Sequence, residues 1–97
     1  DVGQFRKIVL QLAHMHTPDS AIETKQLALA IYSAMNSLTL DERTAIVLRE
    51  LEGLSYGEIS KIMQCPVGTV RSRIFRAREE IVKQINPLLD SSRTSRF

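Results

Sequence analysis

Ninety-seven residues suffice for one small domain and are too few for two. An apolar content of 43% supports a single core, the lone Cys65 excludes a disulfide framework, and no apolar run or signal-peptide layout suits a bilayer or export. The net charge of +2 is unevenly spread: residues 1–42 hold three Lys/Arg against five Asp/Glu, whereas residues 43–97 hold ten against six. That asymmetry points the C-terminal half towards a polyanionic partner. The expectation is a soluble intracellular protein, and the start at Asp1 suggests a processed chain or a piece of a longer one.

Few aromatics and glycines, with many Leu, Ile, Ala, Glu and Arg, favour helices throughout. Residues 4–16 space Phe5, Ile8, Val9 and Leu12 as one helical stripe, although Ile8-Val9-Leu10 also suits a strand. Thr17-Pro18-Asp19-Ser20 breaks the pattern, with Ser20 as an N-cap and Glu23 three residues on. A second helix is predicted from Ala21 to about Ser37, its stripe being Leu27, Ile31, Met35 and Leu38. Thr39 to Glu42 form a capping-box pattern. The helix it opens is expected to reach Glu52, to bury Leu40, Ile46, Val47, Leu48 and Leu51, and to stop at Gly53.

Ser55 to Glu58 repeat the capping box and open a short helix with Ile59, Ile62 and Met63 as its apolar stripe. Pro66 then separates it from a last helix, which starts at Pro66 or Val67 and is expected to reach Gln84 or Ile85 before Pro87 ends it. Residues 91–97 read as a flexible tail. The expected fold is all-α: a small domain of four to five helices with a C-terminal helix-turn-helix.

The last helix can be laid on a wheel of about 100° per residue with Arg71 at zero. Val70, Ile74, Ala77 and Ile81 then fall within about 240–300°, a narrow stripe suited to docking. Phe75, Glu79, Ser72 and Arg76 fall within about 40–140°, and Arg71 and Arg73 flank them. A solvated charge run with salt bridges to Glu79 and Glu80 has no use for the outward Phe75. A base-reading helix does. Arginine forms a two-point hydrogen bond with guanine, an apolar group touches a thymine methyl, and a carboxylate accepts from cytosine. Remaining arginines suit phosphates, as do the backbone N–H groups near Gly68 and Thr69.

The run GLSYGEISKIMQCPVGTVRSRIFRAREEI, residues 53–81, resembles region 4 of extracytoplasmic-function sigma factors, in the wording of the envelope-stress sigma-E group. SLTLDERTAIVLRELEG, residues 37–53, is similar to the first helix of that domain, and the likeness extends over about residues 18–89. It implies a transcription-initiation subunit whose recognition helix binds the minus-35 promoter element. It also implies docking on the β flap of RNA polymerase and covering by an anti-sigma factor. By resemblance, Arg71, Ser72, Phe75 and Arg76 match DNA-contacting positions, and Arg49 matches a further one. With Arg73 on the flank, the expected DNA-binding set is Arg49, Arg71, Ser72, Arg73, Phe75 and Arg76.

The chain departs from the family at Gly57, Ser60 and Gln64, none on the reading face. Ser60 is expected to bond back to its own helix. The family's promoter-melting region has no counterpart in the first seventeen residues, so an isolated domain of a longer factor, or a truncated relative, is expected. The domain organisation is then a linker or extra helix over 1–19, the region 4 domain over 20–90, and the tail over 91–97.

Two other readings compete: a LuxR-type helix-turn-helix regulator, and a module devoted mainly to an anti-sigma factor or polymerase. LuxR-type proteins carry T-V-K-x-H where this chain has Thr69-Val70-Arg71-Ser72-Arg73, which favours the sigma reading. His14 and His16 do not share a helical face and have no companion ligands, so no metal is expected. Cys65 reads as a small apolar residue at the turn, and Met15, Met35 and Met63 as core fillers. No nucleophile–base pair, carboxylate pair or glycine-rich phosphate loop stands out. No enzyme activity, cofactor, small-molecule substrate or membrane insertion is expected, and the location expected is the bacterial cytoplasm.

Overall fold

The computed structural model describes residues 24–94. The segment read as a helix over 4–16, its two histidines, and the cap at Ser20 and Glu23 lie outside the described residues. Within them the chain forms four helices: α1 (Thr24–Ser37), α2 (Leu40–Glu50), α3 (Tyr56–Met63) and α4 (Val67–Thr94). There is no strand among the described residues.

Both predicted capping boxes form. The Thr39 hydroxyl accepts from the Glu42 N–H at 3.1 Å, and Glu42 Oε1 accepts from the Thr39 N–H at 3.0 Å. Ser55 and Glu58 repeat this at 3.1 and 2.9 Å. Each box satisfies two backbone donors that a helix start otherwise leaves unpaired. The α1–α2 turn is held from a distance by Arg43, whose Nε donates to the Met35 carbonyl at 3.0 Å and Nη2 to the Leu38 carbonyl at 3.3 Å. Gly53 takes φ +68°, the left-handed conformation that glycine adopts at little cost. The Leu54 N–H then reaches back to the Leu48 carbonyl at 3.2 Å.

Helix α4 is the spine and touches each of the other three. It buries Val70, Ile74, Ala77, Ile81 and Ile85 against Leu27, Ile31, Ala34, Met35 and Leu38 of the α1 region, Ala45 and Ile46 of α2, and Ile59 of α3. Two leucine-sized residues expected in the core are not there. Leu40 is 73% exposed because it sits at the first position of α2, ahead of the turn that meets the core. Ile62 is 58% exposed, since the two turns of α3 present only Ile59 fully to its neighbours.

Pro87 does not end α4, which continues through it to Thr94, so residues 91–94 are helical rather than part of a loose tail. Proline removes one backbone donor, but its fixed φ is close to the helical value, and the following residues keep their own donors. Ile85, in the core, precedes it by two residues, and half-buried Leu88 follows it.

The Ser55 backbone and side-chain hydrogen bonds hold the Glu58 carboxyl below the usual glutamate range. A depressed folded-state pKa contributes stability that is present above the unfolded value and lost as pH falls through the folded one. Thermal melting in acid should therefore show a limb, starting below the ordinary glutamate pKa, that Glu58→Gln flattens. An unchanged limb would remove Glu58 from the cause.

Candidate nucleic-acid interface

The turn between α3 and α4 sets the direction of α4. Gln64, the last residue before the turn, adopts φ 54° and ψ 51°. Left-handed geometry costs a non-glycine residue about 1–2 kcal/mol. Ser60 bonds both backbone polar groups of Cys65, its carbonyl accepting from the Cys65 N–H at 3.2 Å and its hydroxyl donating to the Cys65 carbonyl. The Ser60 hydroxyl thus bonds forward across the turn, not back into its own helix as expected. The Cys65 carbonyl lies within reach because the left-handed residue folds the chain back over the end of α3. Beyond it, the Pro66 carbonyl accepts from Thr69 and Val70 and starts α4.

With its apolar stripe buried, α4 turns Arg71, Ser72, Phe75, Arg76 and Glu79 outward, where they line one shallow open depression. Phe75 is 64% exposed. The Ser72 hydroxyl donates to the Gly68 carbonyl at 3.1 Å, which leaves its oxygen free to accept from a base amine. Four of the six expected residues therefore share one surface.

The other two are committed inside the molecule. Arg73 Nη2 lies 3.3 Å from Asp41 Oδ2, and its Nη1 donates to Cys65 Sγ at 3.4 Å. It braces α4 to the start of α2 and to the turn. Arg49 Nη1 donates to the Leu54 carbonyl at 2.8 Å, and its guanidinium lies 4.8 Å from the Tyr56 ring centroid. Arg71 lies 5.7 Å from the same ring.

Carboxylates of α2 pair with several α4 arginines. Arg78 donates to Glu50 Oε1 through Nη2 at 2.9 Å and Nε at 3.3 Å. Arg76 Nε stands 3.9 Å from Glu42 Oε2, a loose pair with the arginine side chain 67% exposed. Arg71 makes no salt bridge among the described residues. Glu79 and Glu80 make none with the α4 arginines there either, so the pairing runs between helices rather than along one.

Sequence reasoning missed Tyr56, Glu42 as the Arg76 partner, and Arg43. The first is visible only as an aromatic next to a cap. The contacts of all three involve other elements.

A second, longer groove runs along α4 from the α1–α2 turn, lined by Leu38, Glu42, Phe75, Arg76, Val82 and Pro87 among others. Among the described residues there is no group of three or more His, Cys, Asp and Glu positioned to hold a metal, and no helix is long and apolar enough to cross a membrane.

Residues 28–81 match the model of the family described as sigma-70, region 4. The chain belongs to the sigma-70 region 4 family. It is 51% identical over 78 residues to the ECF RNA polymerase sigma-E factor of Haemophilus influenzae, covering 80% of this chain and 41% of that protein. It is similarly 50% identical to the RNA polymerase sigma-H factor of Pseudomonas aeruginosa, with 80% and 40% covered. The same identity, over 80% and 41%, relates it to the ECF RNA polymerase sigma-E factor of Escherichia coli K12. The chain thus spans about two-fifths of the length of these relatives. The matched residues 28–81 include the α3–α4 turn and Arg71, Ser72, Phe75, Arg76 and Glu79 of α4.

Two substitutions test this geometry. Ser60→Ala removes one of the two bonds to Cys65 and is expected to lower unfolding stability by about 1 kcal/mol, read by urea titration. Phe75→Ala is expected to stay within about 0.5 kcal/mol of the parent, because the ring is on the surface. A large loss there would place Phe75 in the core.

Proposed function

We propose that this chain is the promoter-reading domain of an alternative, extracytoplasmic-function sigma factor acting in the bacterial cytoplasm. Helix α4 enters the major groove of the minus-35 element with Arg71, Ser72, Phe75 and Arg76 towards the bases. Arg76 forms the two-point contact with guanine, Phe75 rests on a thymine methyl, and Ser72 accepts from an exocyclic amine. Arg49 serves a phosphate at the edge of the groove, beside Arg71, and Arg73 holds the helix at its angle. The observation that carries the reading is the exposed Phe75 set among these polar groups, on the side of α4 opposite its buried stripe.

The relatives are RNA polymerase sigma factors, which supports an RNA polymerase partner, and in this reading the domain docks on the polymerase β flap. The longer groove, with Leu38, Phe75 and Val82 among its charged residues, offers an anti-sigma factor a surface that overlaps the reading face. Covering Phe75 in that way would exclude DNA. The reading assigns the domain no catalysis, cofactor or small-molecule substrate.

Selection from a randomised duplex pool, with and without core RNA polymerase, tests the proposal. Enrichment of one motif that strengthens with polymerase is expected, together with a steep salt dependence. Tight, specific binding that ignores polymerase would instead identify a free-standing regulator. On the enriched duplex, Arg76→Ala should lose roughly 1–3 kcal/mol and relax preference at one position. An equal loss on unrelated DNA would make Arg76 a phosphate contact.

A further inference from the structure

Two arginines of the expected DNA-binding set converge on a single aromatic ring that no motif singles out. Arg49 lies 4.8 Å and Arg71 5.7 Å from the Tyr56 centroid, both within the reach of a cation–π contact. The three residues come from the end of α2, the first position of α3 and the second turn of α4. Tyr56 is itself fixed: it follows the Ser55 cap, is half-buried, and packs against the core. Its ring is in place whatever the arginines do.

The contact differs in kind from those of the neighbouring arginines. Arg73 and Arg78 face carboxylates that offset their charge and take up some of their donors, and Arg76 stands loosely beside one. An aromatic face restrains a guanidinium while leaving its charge and its five N–H donors available. Arg71 is exposed and makes no salt bridge among the described residues, so the ring is the contact that orders it. The same electron-rich ring thus attracts both cations.

We propose that Tyr56 is a positioning residue for DNA recognition. Its ring holds Arg71 beside Arg49, so that guanidinium groups from two helices meet the nucleic acid as one ordered cationic patch. The inference rests on the reading of α4 as the DNA-reading helix. A side chain already ordered in the free protein loses less rotamer freedom on binding, and that saving appears as affinity.

Tyr56→Phe and Tyr56→Leu in the 97-residue chain separate this role from a merely structural one. Without DNA, the Nε–Hε resonances of Arg49 and Arg71 should be displaced by the ring current in the parent and in Tyr56→Phe. In Tyr56→Leu they should return towards the positions of free arginine. On a duplex enriched by the parent chain, Tyr56→Leu should weaken binding about three- to tenfold while Tyr56→Phe binds like the parent. The loss should be largely absent when Arg71→Ala is already present.

Unmoved arginine resonances in Tyr56→Leu would overturn the proposal. So would equal losses from Phe and Leu, which would assign the effect to the hydroxyl, or a loss that persists in full beside Arg71→Ala. If Tyr56→Leu melts too low to assay, Tyr56→Met replaces it in each comparison. A parent chain that enriches no duplex overturns the DNA reading itself, and the resonance shifts still report whether the ring holds the arginines. The two failures are told apart.

Discussion

Everything on the surface of this domain depends on how α4 is seated. Val70, Ile74, Ala77, Ile81 and Ile85 are buried by the other three helices. Full burial of an isoleucine or valine is worth about 1.5–3 kcal/mol. A slip of one residue would turn the helix by about 100° and point Arg71, Phe75, Arg78, Val82 and Asn86 at the core instead. Burying two unpaired guanidinium groups would cost several kcal/mol each. The rotation of α4 is therefore fixed by its apolar side, and the outward arrangement of Arg71, Ser72, Phe75 and Arg76 follows from it.

The arginines along that helix are then sorted by what stands beside them. Helix α2 brings Asp41 and Glu42 to one end of the contact and Glu50 to the other, and each meets a different arginine. Arg73 is the most enclosed, with its side chain 24% exposed, and its bonds to Asp41 and Cys65 tie three elements together. Arg76 is the least committed. An exposed ion pair of this kind is worth about 0–1 kcal/mol, so Arg76 can leave Glu42 for a base or phosphate at small cost. Glu42 meanwhile stays in place through its other oxygen, which caps α2. The division of labour is set by burial, not by residue type.

This explains which parts were legible in the sequence. The two capping boxes were, because donor and acceptor are three residues apart and the geometry is local. So was the split between the faces of α4, because a long regular helix carries its own periodicity. The expected burial of Leu40 and Ile62 failed for a related reason: at a helix start, or on two turns, the wheel says which side faces in but not how far the core extends. Pro87 was overread: an internal proline costs about 3 kcal/mol, yet the helix anchored in the core up to Ile85 continues through it. The contacts of Arg49, Arg71 and Arg73 join residues from different elements. No spacing rule reaches across them.

The same cross-element logic gives the turn its place in the proposed recognition. Gln64 holds a strained left-handed conformation where a glycine would be easier. Glycine, however, would also enlarge the unfolded ensemble, so the side chain is not simply a defect. Ser60 offsets part of the strain with its pair of bonds to Cys65, and Arg73 reaches the Cys65 sulfur from α4. Together they set the angle between α3 and α4. That angle decides whether Tyr56, at the far end of α3, lies under Arg71 at the start of α4. A loosened turn would leave both helices folded and still separate the ring from the guanidinium, so precision at Gln64 is converted into order at Arg71.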